Sequence, residues 1–551
     1  MMKMDSKSLP PSRTFRSWLL ISLLALSALV FFAMNVSLII PPLHKPPRHA
    51  RPEPGPRSPT LEPHDPEMDD LQQLLLWPSP PATSSFNFES STSPAATSYR
   101  LLGGTRNFTV GDTLHLTVQA RDHHGRDKRH GGDYFRIKVH SPRLRAGAFG
   151  SVLDHDNGSY TASVVLPWPG EALVDIKLVH SSEAVHIISR LRDSVPNKIY
   201  FTGYFEKERA KGEATECNAV PRLMMKSRMC EYRDAATGHM WFCKKPRRLP
   251  CDSLRFHSNR GRSNILTKDE ERFLSKPSRI SLVPGLGFGR SHAGILPRLR
   301  DSANQNVLGP CVPGHPVPSP SGFYLNDEWV SLSCKARPFP TPQDLANCLS
   351  NKRFYMYGDS TIRQWFLHLT AHVPDMRFID INAPTLLGPL MSASVATKTF
   401  LLYRTQGLPF LTPHGPVAAI HYVANEIDGL TGGKDTVVGI SLWAHFTGFP
   451  VSFYVARMRG IRAAVVRLLR RAPGTLVIFK SANTSYHSPD QSDWLNRQLD
   501  QIMRRLMAGL PVVILDAWEM TAAHRLPDNL HPEPVIIHNE IKLLLAYVCP
   551  Q

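Results

Sequence analysis

The chain has 551 residues, of which 42% are hydrophobic and 20% charged, and a formal charge of +18. It is long enough for several domains and too apolar to be disordered throughout. The excess of Lys and Arg points to anionic partners, either nucleic acid, anionic lipid or acidic glycans, and the choice depends on compartment.

The N-terminus addresses compartment first. Lys3, Lys7, Arg13 and Arg16 stand against Asp5 in residues 1–17, and residues 18–40 (WLLISLLALSALVFFAMNVSLII) form an almost charge-free run long enough to span a hydrocarbon core as a helix. By the positive-inside rule, 1–17 is a cytosolic tail, 18–40 an uncleaved type II signal anchor, and the body is luminal, in the Golgi or elsewhere in the secretory pathway. The alternative is a cleaved signal peptide and a secreted protein. The sequons at Asn107, Asn157 and Asn483 fit a luminal glycoprotein, while the one at Asn35 falls inside the apolar helix. Luminal placement excludes a nucleic-acid role and leaves acidic glycans or protein surfaces as partners, with the membrane held through the N-terminal helix.

Residues 41–98, rich in Pro, Ser and Thr, read as a stalk with one sticky segment at 71–77. From 99 to 197 the pattern alternates with period two, in runs at 114–118, 134–139, 160–165 and 172–179. Gly131-Gly132 and Asp156-Asn157-Gly158 mark turns between them, which argues for a β-sandwich. His123, His124 and His130 there read as a polar basic loop, and no metal site is expected.

Residues 198–347 are basic and weakly periodic, a loop-rich extension stapled by cysteines. The cysteines are Cys217, Cys230, Cys243, Cys251, Cys311, Cys334, Cys348 and Cys549. An even number without any Cys-x2-Cys pair reads as disulfides of unspecified pairing rather than zinc ligands.

From 348 to 551 short apolar runs (353–357, 435–440, 475–479, 511–515) alternate with helical patterns (361–371, 451–471, 490–508, 535–548). That alternation predicts a doubly wound, mostly parallel sheet whose ligands bind beyond the carboxyl ends of its strands. Gly358-Asp359-Ser360 stands where the first strand hands over to a helix, a position that suits a nucleophile with backbone N–H groups beside it. Asp528-Asn529-Leu530-His531 precedes the last helix, so His531 would take the Ser360 proton and Asp528 would orient the imidazole. Ser441, Trp443 and His445 follow the second strong strand. Ser441 and His445 would serve, with the Ser360 backbone, as oxyanion donors, and Trp443 as a stacking surface for substrate; a buried structural role competes for His445. Arg363, one turn after Ser360, would pair with an acid in the fold or else meet an anionic substrate.

Several motifs also carry a likeness to a known family: Gly131-Gly132-Asp133-Tyr134, Trp241-Phe242-Cys243-Lys244-Lys245-Pro246, Phe354-Tyr355-Met356-Tyr357-Gly358-Asp359-Ser360-Thr361-Ile362-Arg363-Gln364-Trp365, and Asp516-Ala517-Trp518-Glu519-Met520-Thr521. Over nearly everything after the stalk, the chain resembles the neurexophilin and PC-esterase domain family. The resemblance implies an all-β, Ig-like neurexophilin sandwich, a Cys-rich extension, and an α/β SGNH-hydrolase-like domain related to polysaccharide O-acetyl esterases and acetyltransferases. It implies Ser360, Asp528 and His531 as a catalytic triad. The oxyanion glycine and asparagine of the wider pattern have no clean counterparts, and Asn483 follows a later strand inside a sequon.

Two functions of different class follow. One is a luminal carbohydrate O-acetyltransferase or O-acetylesterase acting on glycoprotein glycans, sialic acid among them, through an acetyl-serine. No bound cofactor is expected; a transferase would need an acetyl donor such as acetyl-CoA. The other is a catalytically inactive extracellular ligand whose β-sandwich docks a neurexin-like cell-surface receptor.

Overall fold

The structure, a computed structural model, describes residues 65–550 except for 82–85, 104–107, 208–210, 221–227, 275–277, 280, 283–291, 297–307, 384–387, 409–413 and 487. The expected cytosolic tail, the signal anchor, the first part of the stalk and Asn107 lie outside the described residues. Among the described residues, no helix is long and apolar enough to cross a membrane.

The second part of the expected stalk is folded rather than extended. Asp65 caps a helix at Pro66–Leu74 by accepting from the Met68 N–H, and Pro66 supplies a preset first-turn φ. Its Leu71 is wholly buried, worth about 1.5–3 kcal/mol. Asp65 and Glu67 pair with Arg459, and Asp70 with Arg505. Trp77 then donates to the Gly132 carbonyl. The apolar anchors Leu71 and Trp77 lie in the sticky segment at 71–77, whereas the Pro/Ser-rich composition hid the acidic ones, Asp65, Glu67 and Asp70.

The alternating runs form strands at Thr113–Gln119, Tyr134–Ser141, Ser159–Val165 and Gly170–His180, divided between two sheets. Leu114, Leu116 and Val118 face Ile137, Val139 and Ile176 in one core between the sheets. The strand Tyr134–Ser141 is buried on both sides. Its Phe135, Ile137 and Val139 enter the sandwich core, whereas Arg136 and Lys138, on the other side, reach residues of the C-terminal region. The backbone comes so close there that a Cβ on Gly147 would stand 2.1 Å from the Ala523 carbonyl oxygen.

The expected loop-rich extension contains real sheet. Strands Ile199–Phe205, Glu213–Asn218, Met229–Arg233, Met240–Lys244 and Leu254–Arg262 form an antiparallel sheet, stapled by Cys217–Cys243 and Cys230–Cys251. Strands Gly322–Leu325 and Glu328–Ser331 join a sheet of the sandwich, beside the Cys311–Cys334 bridge. Cys348 and Cys549 are joined across 201 residues, about 5 kcal/mol in the chain-entropy limit. All eight cysteines are therefore paired, as expected of an oxidising compartment.

The C-terminal region is built on strands β1 (Arg353–Gly358), β2 (Thr399–Thr405), β3 (Thr436–Ser441), β4 (Leu476–Lys480) and β5 (Val513–Leu515), parallel and in the order β2-β1-β3-β4-β5. Two antiparallel strands, Leu390–Ser394 and Arg377–Ile379, extend the β2 edge. Strand β2 and this edge were not picked out in the sequence. Side chains of alternate parity enter two cores. Val438, Ile440, Val477 and Phe479 pack under helices α2 (Val451–Arg471) and α3 (Asp493–Met507). Phe354, Met356, Val437 and Ile478 pack under α1 (Ser360–His372) and α5 (Pro534–Val548). A short helix, α4 (Ala517–Ala523), leads from β5 toward the sandwich. The chain leaves β1 for β2 on one side and continues to β3 on the other, so the strand order reverses between β1 and β3, where ligands of open parallel sheets bind.

Candidate active site

Ser360 is the first residue of α1, directly after β1. Gly358 has φ 143°, and a Cβ there would fall 1.8 Å from the Ser441 carbonyl oxygen on β3, so only glycine fits. Asp359 caps the helix: one carboxylate oxygen accepts from the Thr361 N–H and hydroxyl, the other from the N–H groups of Trp443 and Ala444. One buried side chain thus fixes the elbow to the turn after β3.

His531 lies on the loop 524–533 between α4 and α5, and its Nε2 is 2.6 Å from Ser360 Oγ. The imidazole is exposed and the serine half-buried, so the pair is open to solvent. The carbonyls on both sides of His531 are held by amides. Asn483 Nδ2 donates to the Leu530 carbonyl at 3.0 Å, and Gln364 Nε2, from α1, donates to the Pro532 carbonyl at 3.2 Å. Asn529 Oδ1 accepts from the His531 N–H.

Asp528 has partners that the sequence did not announce. Oδ2 accepts from Arg136 and Lys177 and Oδ1 from the Thr484 hydroxyl, so its charge faces two sandwich strands. Burial pushes its carboxyl up, but Arg136 and Lys177 outweigh burial and hold it well below the usual range. The two cations, 392 and 351 residues away, draw the carboxylate into the interface between sandwich and sheet.

The other candidates also move. Trp443 is 3% exposed within the core under α2 and α3, so it offers no stacking face. Ser441 is buried and shares a hydrogen bond with the Thr361 hydroxyl at 3.1 Å, inside the elbow rather than above it. His445 is half-buried in the same turn. Arg363, half-buried in α1, makes no ion pair among the described residues, so the acid expected to pair with it is not found there.

Asn157 is exposed in a turn, open to modification. Asn483 is wholly buried and also accepts from Lys480 Nζ, so a glycan there is incompatible with this fold. That sequon marks a residue that supports the histidine loop. Gln364 lies in the strand-to-helix motif and Asn483 in a sequon, and Arg136 sits at an outward position of a predicted strand, where a charged residue ordinarily faces water.

Comparison with known proteins bears on the same residues. Residues 73–268 match the neurexophilin family model, and residues 329–549 match the model of the NXPE family member 4-like C-terminal domain. The chain joins a neurexophilin region to an NXPE-family C-terminal domain. Ser360, Asp528 and His531 fall in the NXPE-family match, whereas Arg136 and Lys177 fall in the neurexophilin match. Among solved structures, invasin, a bacterial integrin-binding protein, aligns at 9% identity and a TM-score of 0.14. The alignment covers 58% of this chain and 61% of invasin, and a likeness of that size carries no argument about fold.

Proposed function

We propose that this chain is a luminal O-acetyltransferase or O-acetylesterase for glycoprotein glycans, with an SGNH-type C-terminal domain working through Ser360 and His531. The contact of Ser360 Oγ with His531 Nε2, at a strand-to-helix elbow open to solvent, carries this reading. Ser360 Oγ attacks the acetyl carbonyl while His531 Nε2 takes its proton, and the imidazolium returns that proton to the departing group, the alcohol oxygen of an acetyl ester or the sulfur of a thioester donor. In the second step a sugar hydroxyl or water attacks the acetyl-serine, loses its proton to His531, and Ser360 recovers the proton as it leaves.

The Ser360 N–H, at the first helical position with no partner within the helix, is placed to stabilise the tetrahedral oxyanion; His445 is the side-chain candidate for a second donor. Arg363, with no ion pair among the described residues and one turn from Ser360, suits an anionic group on the substrate, as in sialylated glycans. Transfer requires an acetyl donor, acetyl-CoA or another activated acetyl, whereas hydrolysis requires none.

The test is expression of the full chain as wild type and Ser360→Ala in the same cells. Cell-surface glycan O-acetylation and aryl acetate hydrolysis should both fall in the variant, hydrolysis by about 10³-fold or more. Equal values would leave the binding-protein reading, which the neurexophilin match favours. In that reading the sandwich docks an extracellular receptor and the C-terminal domain is structural.

A further inference from the structure

We propose that the neurexophilin-type sandwich is a working part of the candidate active site: Arg136 and Lys177 are positioning residues that hold the loop carrying His531. The catalytic half of this statement rests on the reading of Ser360 and His531 given above; the structural half does not.

The argument begins with one strand face. In Tyr134–Ser141, alternate side chains leave the sandwich core and enter the C-terminal region, and two of them are cations. Arg136 Nη2 donates to Asp528, while Nη1 lies 3.0 Å from Asp493 Oδ2 as an ion pair off the line of a hydrogen bond. Lys138 Nζ donates to the His524 carbonyl at 2.7 Å, at the start of the same loop. Lys177, on the neighbouring strand Gly170–His180, adds a second cation on Asp528 at 3.1 Å. The sandwich therefore grips the loop at His524 and at Asp528, three residues before His531.

The C-terminal region brings two carboxylates to this place and no cation of its own among their described partners. Asp493 starts α3 and accepts from the Ser485 N–H; Asp528 accepts from Thr484. Both are removed from water, and each disfavours the charge of the other. Arg136 reaches both, and without it the two charges repel across the base of the histidine loop. Lys177, Lys138 and Thr484 then hold that end of the segment against two repelling carboxylates, and it opens locally more often without the sheet unfolding. The structure thereby gives the sandwich a task within its own chain, alongside any receptor that it docks.

The test uses the full chain as wild type, Arg136→Met, Arg136→Lys, Lys177→Met and Ser360→Ala. Hydrogen exchange is followed in 524–533, and the rates of Ser360 labelling by a fluorophosphonate and of p-nitrophenyl acetate hydrolysis are measured. In Arg136→Met, exchange across 524–533 should rise about tenfold or more while β1, β3 and β4 keep their protection. Labelling should slow about tenfold, and kcat should fall with KM unchanged, because a misplaced base leaves substrate binding intact. Arg136→Lys should lie between, since it keeps the charge and loses the fork that reaches two carboxylates. If Arg136→Met does not fold, Lys177→Met, at the partly exposed edge of the cluster, carries the same comparison with an effect of about threefold.

Loop exchange within about twofold of wild type, in whichever of these variants folds, overturns the proposal. So does a loosened loop with unchanged labelling. If wild type and Ser360→Ala label alike, the catalytic reading fails, and hydrogen exchange still decides whether the sandwich holds the loop.

Discussion

Ser360 and His531 meet at 2.6 Å, yet the elbow beneath one and the loop beneath the other are held by different means. The elbow is local. A glycine that alone fits against β3, an aspartate that caps the helix, and the serine follow one another in sequence, and the β1–β3 register aligns Gly358 with Ser441. The loop has no regular structure and is anchored by side chains from distant elements, among them Asn483, Gln364, Thr484, Arg136, Lys138 and Lys177. A nucleophile on a rigid element is placed by backbone geometry, whereas a base on a loop depends on polar side chains contributed by distant elements. Damage to the elbow should therefore be all-or-none, and damage to the loop graded.

Gly358→Ala is the sharpest way to break that contrast. The added methyl must displace the Ser441 carbonyl, and alanine must adopt a φ of 143°. The cost should be about 3 kcal/mol or more, with failure of the β1–α1 junction and complete loss of Ser360 labelling. A variant that melts and labels like wild type would show that the elbow is not set by its glycine.

The same contrast explains what could be read in advance. The elbow was legible because strand, glycine, N-cap and helix lie within a dozen residues, each with a local signal. The sandwich strands and the β1, β3, β4 and β5 runs were legible by periodicity and buried length. The loop's support was not. Arg136 looks like any charged residue facing water on an alternating strand, and nothing near it in sequence reveals that the other face of its sheet is covered. Asp528 stands three residues before His531 and so invites pairing with it, and nothing near it in the chain announces the two distant cations that hold it. Asn483 carries a glycosylation signal, and only its burial reveals it as a support for the loop. The helix Pro66–Leu74 was hidden for the same reason, since its partners Arg459 and Arg505 are nearly four hundred residues or more away.

Asp528→Asn ranks next and tests whether that carboxylate is an electrostatic anchor. It leaves Arg136 and Lys177 short of a charge in a mostly buried place and should cost about 3 kcal/mol. The cost should also depend on acid. Burial alone would push this carboxyl up, but Arg136 and Lys177 hold it below its ordinary value of 3.8. As the pH falls, the unfolded chain takes up the proton first. The stabilisation from Asp528 is therefore complete above 3.8 and is lost as the pH drops through the lower, folded value. Denaturant titrations should show the gap between wild type and Asp528→Asn narrowing from about pH 5 downward. A gap that widens in acid would mean that Asp528 is not held as an anion.

The two amide anchors give the smallest effects and the finest test. Asn483→Ala leaves the Leu530 carbonyl unpaired and removes one acceptor from Lys480, whose remaining described partner is Glu540 at 3.4 Å, so about 2 kcal/mol is expected. Gln364→Ala removes one 3.2 Å hydrogen bond at a half-buried position and should cost about 1 kcal/mol or less. The two carbonyls they hold lie on either side of His531. If both amides act on one loop, the variants together should depart from additivity, while each alone lowers the labelling rate of Ser360 only partly. Strict additivity in stability, with labelling unchanged, would mean that these amides stabilise the loop without aiming the imidazole. In that case Arg136 and Lys177, at the base of the loop, carry the aiming.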